Sequence, residues 1–182
     1  SDFRDLNGML RAGWSQQRRL EEKVNLRVEL VPVSGSQSTG LRMAAYALQT
    51  EQPVPGGFEG ASVRVRSAAA EVQAGQLLRV SADARILHSA GESGTGLLIY
   101  DNQAGPSLGQ LVQGATSETV PIELYRFAVR DGEFRLLAEC RGDCDIVLEN
   151  IRMSVIQPAT NRASYITNPL ESELIDISSQ IP

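Results

Sequence analysis

His88 is the one histidine of the chain, so imidazole-based proton transfer has a single candidate. It closes a β-like run just before Ser89-Ala90-Gly91 and has no recognisable triad partner, so it reads as a strand-end polar residue. Gly91-Glu92-Ser93-Gly94-Thr95 misses the Gly-x-Ser-x-Gly nucleophile elbow, because Thr95 holds the last position. There is no Gly-Lys dipeptide and hence no phosphate loop. Asp101, Glu118 and Glu123 are the carboxylates considered for glycoside hydrolysis, a reaction whose paired acids have no fixed sequence spacing. Nothing in the sequence pairs them, and no enzymatic activity is expected.

The two cysteines, Cys140 and Cys144, enclose Arg141-Gly142-Asp143. A tetrahedral zinc site needs a C-x-x-C or a second ligand pair, and neither is present. A disulfide clamping a tight turn fits this spacing better than two reduced thiols, and it implies an oxidising compartment. The same tripeptide at a clamped hairpin tip is one way to present an integrin ligand, although Gly-Asp is also ordinary turn chemistry.

Aromatic residues are scarce: four Phe, four Tyr and one Trp. Rings that stack on sugar faces must be exposed and have polar neighbours for the hydroxyls. Trp14, Phe58, Tyr100 and Tyr125 are the candidates. Tyr100 and Tyr125 stand among apolar residues and Trp14 follows Gly13, so burial competes with binding at all three. Phe58, in Gly56-Gly57-Phe58-Glu59-Gly60, is the best loop candidate.

The elements that must position these residues are strands. Leu26-Arg27-Val28-Glu29-Leu30, Ser62-Val63-Arg64-Val65-Arg66 and Leu78 to Ile86 alternate apolar and polar residues with period two. Ile122–Val129, Phe134–Ala138 and Ile146–Met153 supply later strands, and the continuously apolar Leu97-Leu98-Ile99-Tyr100 reads as a covered central one. Asp131-Gly132 predicts a hairpin between the strands on either side, and Gly142-Asp143 predicts the next reversal. Gln17 to Val24 is the best helix candidate, with a polar loop as the equal alternative. The pattern predicts an all-β fold, an antiparallel β-sandwich or jelly roll, over residues 1–158, with 159–182 as a C-terminal tail or linker.

Net charge is −5, which argues against a nucleic-acid binder. Arg64, Arg66, Arg79 and Arg85 fall on strands and read as a solvated sheet face rather than a basic tail. No apolar run approaches the roughly 20 residues that span a bilayer, so membrane insertion is not expected. The first residues lack the basic and apolar regions of a signal peptide.

The order of these signals resembles the galactose-binding-like jelly-roll group, which includes xylan- and glucan-binding carbohydrate modules. Gly13-Trp14 is similar to their early Gly-Trp, and Thr39-Gly40-Leu41-Arg42-Met43 to their "small-Gly-x-x-Leu-Arg-Leu" strand. Ala74-Gly75-Gln76-Leu77-Leu78-Arg79-Val80-Ser81 resembles "Pro-Gly-x-x-Tyr-x-Leu-Ser", and Leu148-Glu149-Asn150-Ile151-Arg152-Met153 resembles the closing strand. The resemblance implies polysaccharide as a partner. It also implies one structural calcium ion, corresponding here to Asp5, the carbonyl region of Gly40, and Glu149, as hard oxygen ligands.

Two functions follow. One is a non-catalytic binding module of a secreted or cell-surface protein, with carbohydrate as its ligand. The other is a structural or protein-interaction β-sandwich domain, joined to a neighbouring domain or protein and lacking a sugar site. The resemblance favours the first and the scarcity of aromatics favours the second.

Overall fold

Alternation along the chain becomes two faces in space. A computed structural model describes residues 6–19, 24–33, 39–47, 62–89, 94–116 and 118–157. A short helix α1 (Leu6–Arg11) is followed by β1 (Ser15–Arg19), β2 (Val24–Pro32), β3 (Thr39–Ala47), β4 (Ser62–Arg66), β5 (Ala70–Val72) and β6 (Leu77–Ser89). Next come β7 (Gly96–Asp101), a 3-10 turn (Pro106–Leu108), β8 (Gln110–Val112), β9 (Val120–Phe127), β10 (Gly132–Phe134), β11 (Leu136–Arg141) and β12 (Cys144–Gln157).

The strands form two five-stranded sheets, β1-β4-β11-β7-β8 and β2-β3-β12-β6-β9, with a small β10-β5 pair beside them. Every pairing is antiparallel. The chain crosses repeatedly from one sheet to the other, and the architecture is a jelly-roll β-sandwich.

Period two decides what fills the core. β6 sends Leu78, Val80, Ala82, Ala84 and Ile86 inward, where each is almost fully buried, while Arg79, Ser81, Asp83 and Arg85 face outward. Val63 and Val65 do the same on β4. β7 is buried along its whole length, as its unbroken apolar run requires. The outward arginines are tied across strands: Arg64 to Glu139, Arg79 to Glu123, Arg85 to Glu149, and Arg42 to both Glu29 and Asp145. Arg66 donates to the Ser15 hydroxyl.

Gly40 shows why its motif needs glycine. A Cβ there would fall 2.6 Å from Val147 Cγ1, so β3 and β12 come close only without a side chain at this position.

Three sequence expectations are corrected. Gln17–Arg19 is strand rather than helix, because these polar residues lie on an edge strand that pairs with Ser62–Arg64 of β4. The helix is instead Leu6–Arg11, which buries Met9. Asp131-Gly132 does not join a hairpin, since β9 pairs with β6 whereas β10 pairs with β5. The turn carries the chain from one sheet to another, and Asp131 Oδ1 accepts the Ala74 amide at 2.8 Å.

The Cys140–Cys144 disulfide is present, with its Cα atoms 6.3 Å apart. It clamps no hairpin: β11 belongs to one sheet and β12 to the other, so the bond ties the two sheets at a buried corner. Gly142, at φ 65, makes that crossing possible. The proposed tail at 159–182 lies outside the described residues.

Candidate functional site

β9 is an edge strand of the second sheet, and Ile122 and Leu124 fix its inward face. Its other face must then carry Pro121, Glu123, Tyr125 and Phe127. Tyr125 is 51% exposed and Phe127 42%. Two residues of strand separate their backbones by about 7 Å. The Tyr125 hydroxyl donates to Glu123 Oε2 at 3.0 Å, and Arg79, on the neighbouring strand, pairs with the other oxygen. The Arg79 hydrogen bond, followed by that of Tyr125, holds the Glu123 carboxyl below the usual carboxylate range.

A β-bulge opens the surface beside this row. Glu149 pairs with Asp83 and Arg152 with Ser81, so Asn150 and Ile151 together oppose the single residue Ala82. Asn150 takes the left-handed conformation, at φ 53. Its Nδ2 donates to Asp83 Oδ2 at 2.7 Å, while Ile151 turns into the core. The result is a cleft of about 270 Å³ lined by Ser81, Asp83, Pro121, Glu123, Asn150 and Arg152. The Arg152 side chain is exposed and has no hydrogen bond or ion pair among the described residues. Arg42, Arg64, Arg79, Arg85, Arg126, Arg135 and Arg141, by contrast, each pair with a carboxylate.

Exposed rings, hydroxyl and guanidinium donors, and carboxylate acceptors thus share one face. This combination suits a ligand with apolar ring faces and a polar rim.

The sequence candidates separate. Tyr125 belongs to this face. Tyr100 is corrected as a platform: it is 4% exposed, and a Cβ on Gly109 would fall 3.0 Å from its Cβ, so the loop after β7 presses on the strand there. Its hydroxyl stands 3.5 Å from Glu139 Oε2, which also receives Arg64 and Arg141. Burial pushes the Tyr100 hydroxyl up, against the pull of Arg64. Trp14 is half-buried in a separate apolar cleft. Phe58 and Asp5 lie outside the described residues.

Gly40 and Glu149 do come together, since a Cβ on Gly40 would fall 3.2 Å from Glu149 Cγ. The Glu149 carboxylate is already paired with Arg85 at 2.9 Å. Among the described residues no three acidic, cysteine or histidine groups converge.

His88 ends β6, with Nε2 3.1 Å from Asp143 Oδ1. Arg141 reaches back to Glu139, so neither charged residue of the Arg-Gly-Asp turn projects freely. Asp101 is buried and accepts the amides of Gln103 and Ala104 and the Arg126 guanidinium.

Sequence reasoning missed Phe127 and Arg152. Phe127 carried a signal, its place two residues beyond Tyr125 on an alternating strand. Arg152 carried none, because its freedom from carboxylates depends on the bulge.

No family model matches the sequence, and no curated protein matches it. Similar solved structures include a carbohydrate-binding module described for specific mannan recognition, with 15% identity over 84% of this chain and 93% of that one and a TM-score of 0.47. Another is the CBM22-1 xylan-binding domain from Paenibacillus barcinonensis Xyn10C, with 11% identity, coverage of 81% and 88%, and a TM-score of 0.44. A third is the enzymatically active domain of Bacteriophage CBA120 tailspike protein 4, with 14% identity over 79% of this chain but 19% of that one and a TM-score of 0.48. Likenesses at these identities and scores decide neither ligand nor activity.

Proposed function

We propose that this chain is a non-catalytic carbohydrate-binding module of a secreted or cell-surface protein, and that the sugar lies on the outer face of the β2-β3-β12-β6-β9 sheet. The observation that carries this reading is the exposed pair Tyr125 and Phe127 beside the polar cleft at the Asn150 bulge. Ring faces of a pyranose would stack on the aromatics while Asp83, Asn150 and Arg152 meet its hydroxyls. The non-catalytic part is supported by the carboxylates: Asp101 is buried under Arg126, and Glu123 is held ionised by Arg79 and Tyr125, so neither is poised as the acid of a hydrolytic pair. The extracytoplasmic part is supported by the disulfide.

Affinity-gel electrophoresis in soluble xylan, mannan and β-glucan tests the proposal. Retention by the unmodified protein is expected. Tyr125→Ala and Phe127→Ala should each weaken it roughly two- to tenfold, the worth of one aromatic contact. Absence of retention on every glycan would favour the protein-interaction reading, for which the exposed Met153, Val155 and Ile156 near the end of β12 speak.

A further inference from the structure

The described residues enclose a second cleft, of about 240 Å³, at the other side of the bulge. Trp14, Val80, Phe134, Leu136, Ile151 and Met153 form most of its wall. α1 brings Trp14 there: its amide donates to Met9 O at 3.0 Å, and Arg135 Nη1 donates to the carbonyls of Gly13 and Ser67, fixing the segments on either side. The bulge turns Ile151 inward, while Met153, 38% exposed, stands at the mouth. The rim holds Arg152, whose guanidinium has no partner among the described residues.

We propose that this cleft binds a small amphiphilic anion, a carboxylate with a short aliphatic or aromatic tail. The tail would lie against Trp14 and Phe134, and the carboxylate would pair with Arg152. The cleft is smaller than the roughly 300 Å³ at which drug-sized pockets begin, which limits the tail to one ring or a short chain. Charge complementarity selects an anion: Arg152 is the only charged side chain among the described residues lining this cleft, while Asp83 and Glu123 line the neighbouring cleft that Arg152 also borders and form no ion pair with it. The proposal shares Arg152 with the carbohydrate reading, but its apolar walls share no residue with the Tyr125–Phe127 row, so Tyr125→Ala separates the two.

The chain has one tryptophan, so tryptophan emission, excited selectively over the four tyrosines, reports on this cleft. Octanoate and its neutral counterpart octanamide are the probes. Octanoate is expected to shift Trp14 emission saturably, and octanamide to bind about threefold more weakly or worse, the scale of one exposed ion pair. Arg152→Gln should remove that preference without removing octanamide binding. Ala70→Leu, which fills the cleft, should abolish both. Tyr125→Ala should leave octanoate binding unchanged even as carbohydrate retention falls. Absence of a saturable shift at millimolar octanoate, equal binding of the two probes, or an unaltered preference in Arg152→Gln would overturn the proposal.

Discussion

Reducing the Cys140–Cys144 bond should cost the fold about 2 kcal/mol, from the chain-entropy relation for a loop closed across four residues of separation. For a chain of this length that corresponds to a melting temperature lower by about 4–8 °C. Replacing both cysteines by alanine should cost more. Each sulfur is wholly buried within the core, so each substitution also leaves a void, roughly comparable to an Ile→Val change of about 0.5–1.5 kcal/mol. The double alanine variant should therefore fall about 3–5 kcal/mol below the oxidised protein. Urea unfolding of oxidised, reduced and double-alanine protein separates the cross-link from the packing. Because the bond joins the sheets, the loosening should appear as faster amide exchange at Leu136–Arg141 and at the start of β12. Alkylation and mass spectrometry of protein purified without reductant should find no reactive thiol, even after denaturation. Two alkylated cysteines, or a midpoint unchanged by reduction, would refute the reasoning.

Arg126→Met should destabilise the protein by about 3–5 kcal/mol in denaturant titration, because Asp101, 1% exposed, would lose its cationic partner. Gly40→Ala should cost about 1–3 kcal/mol, since its Cβ would overlap Val147; an unchanged midpoint would show that β3 and β12 can separate freely. Tyr125→Ala, at a half-exposed position, should leave the melting temperature within the roughly ±0.5 kcal/mol of ordinary surface changes. Carbohydrate retention should be flat from about pH 5 to about pH 8. Glu123 is held below its ordinary range, so the ionised form that anchors Tyr125 is present throughout and is lost only as pH falls through that depressed value.

The sequence by itself determined which residues fill the core. Alternation along Leu78–Ile86 and Val63–Val65 leaves no other arrangement with one dry face, and the apolar run Leu97–Tyr100 had to be covered on both sides. It also determined the disulfide, because three intervening residues around a glycine bring two cysteines within reach. Only the tertiary structure decided what the turns connect. Asp131-Gly132 and Gly142-Asp143 both carry local turn chemistry, but pairing partners come from sheet order, so each became a crossing between sheets. The same holds at the candidate site. Tyr100 and Tyr125 both sit among apolar neighbours in sequence, yet one lies under the loop after β7 and the other on an open edge strand. Exposure depends on what the rest of the chain lays over a residue. Arg152 likewise follows the register slip at Asn150, which sets it opposite Ser81 and leaves its side chain without an ion pair among the described residues.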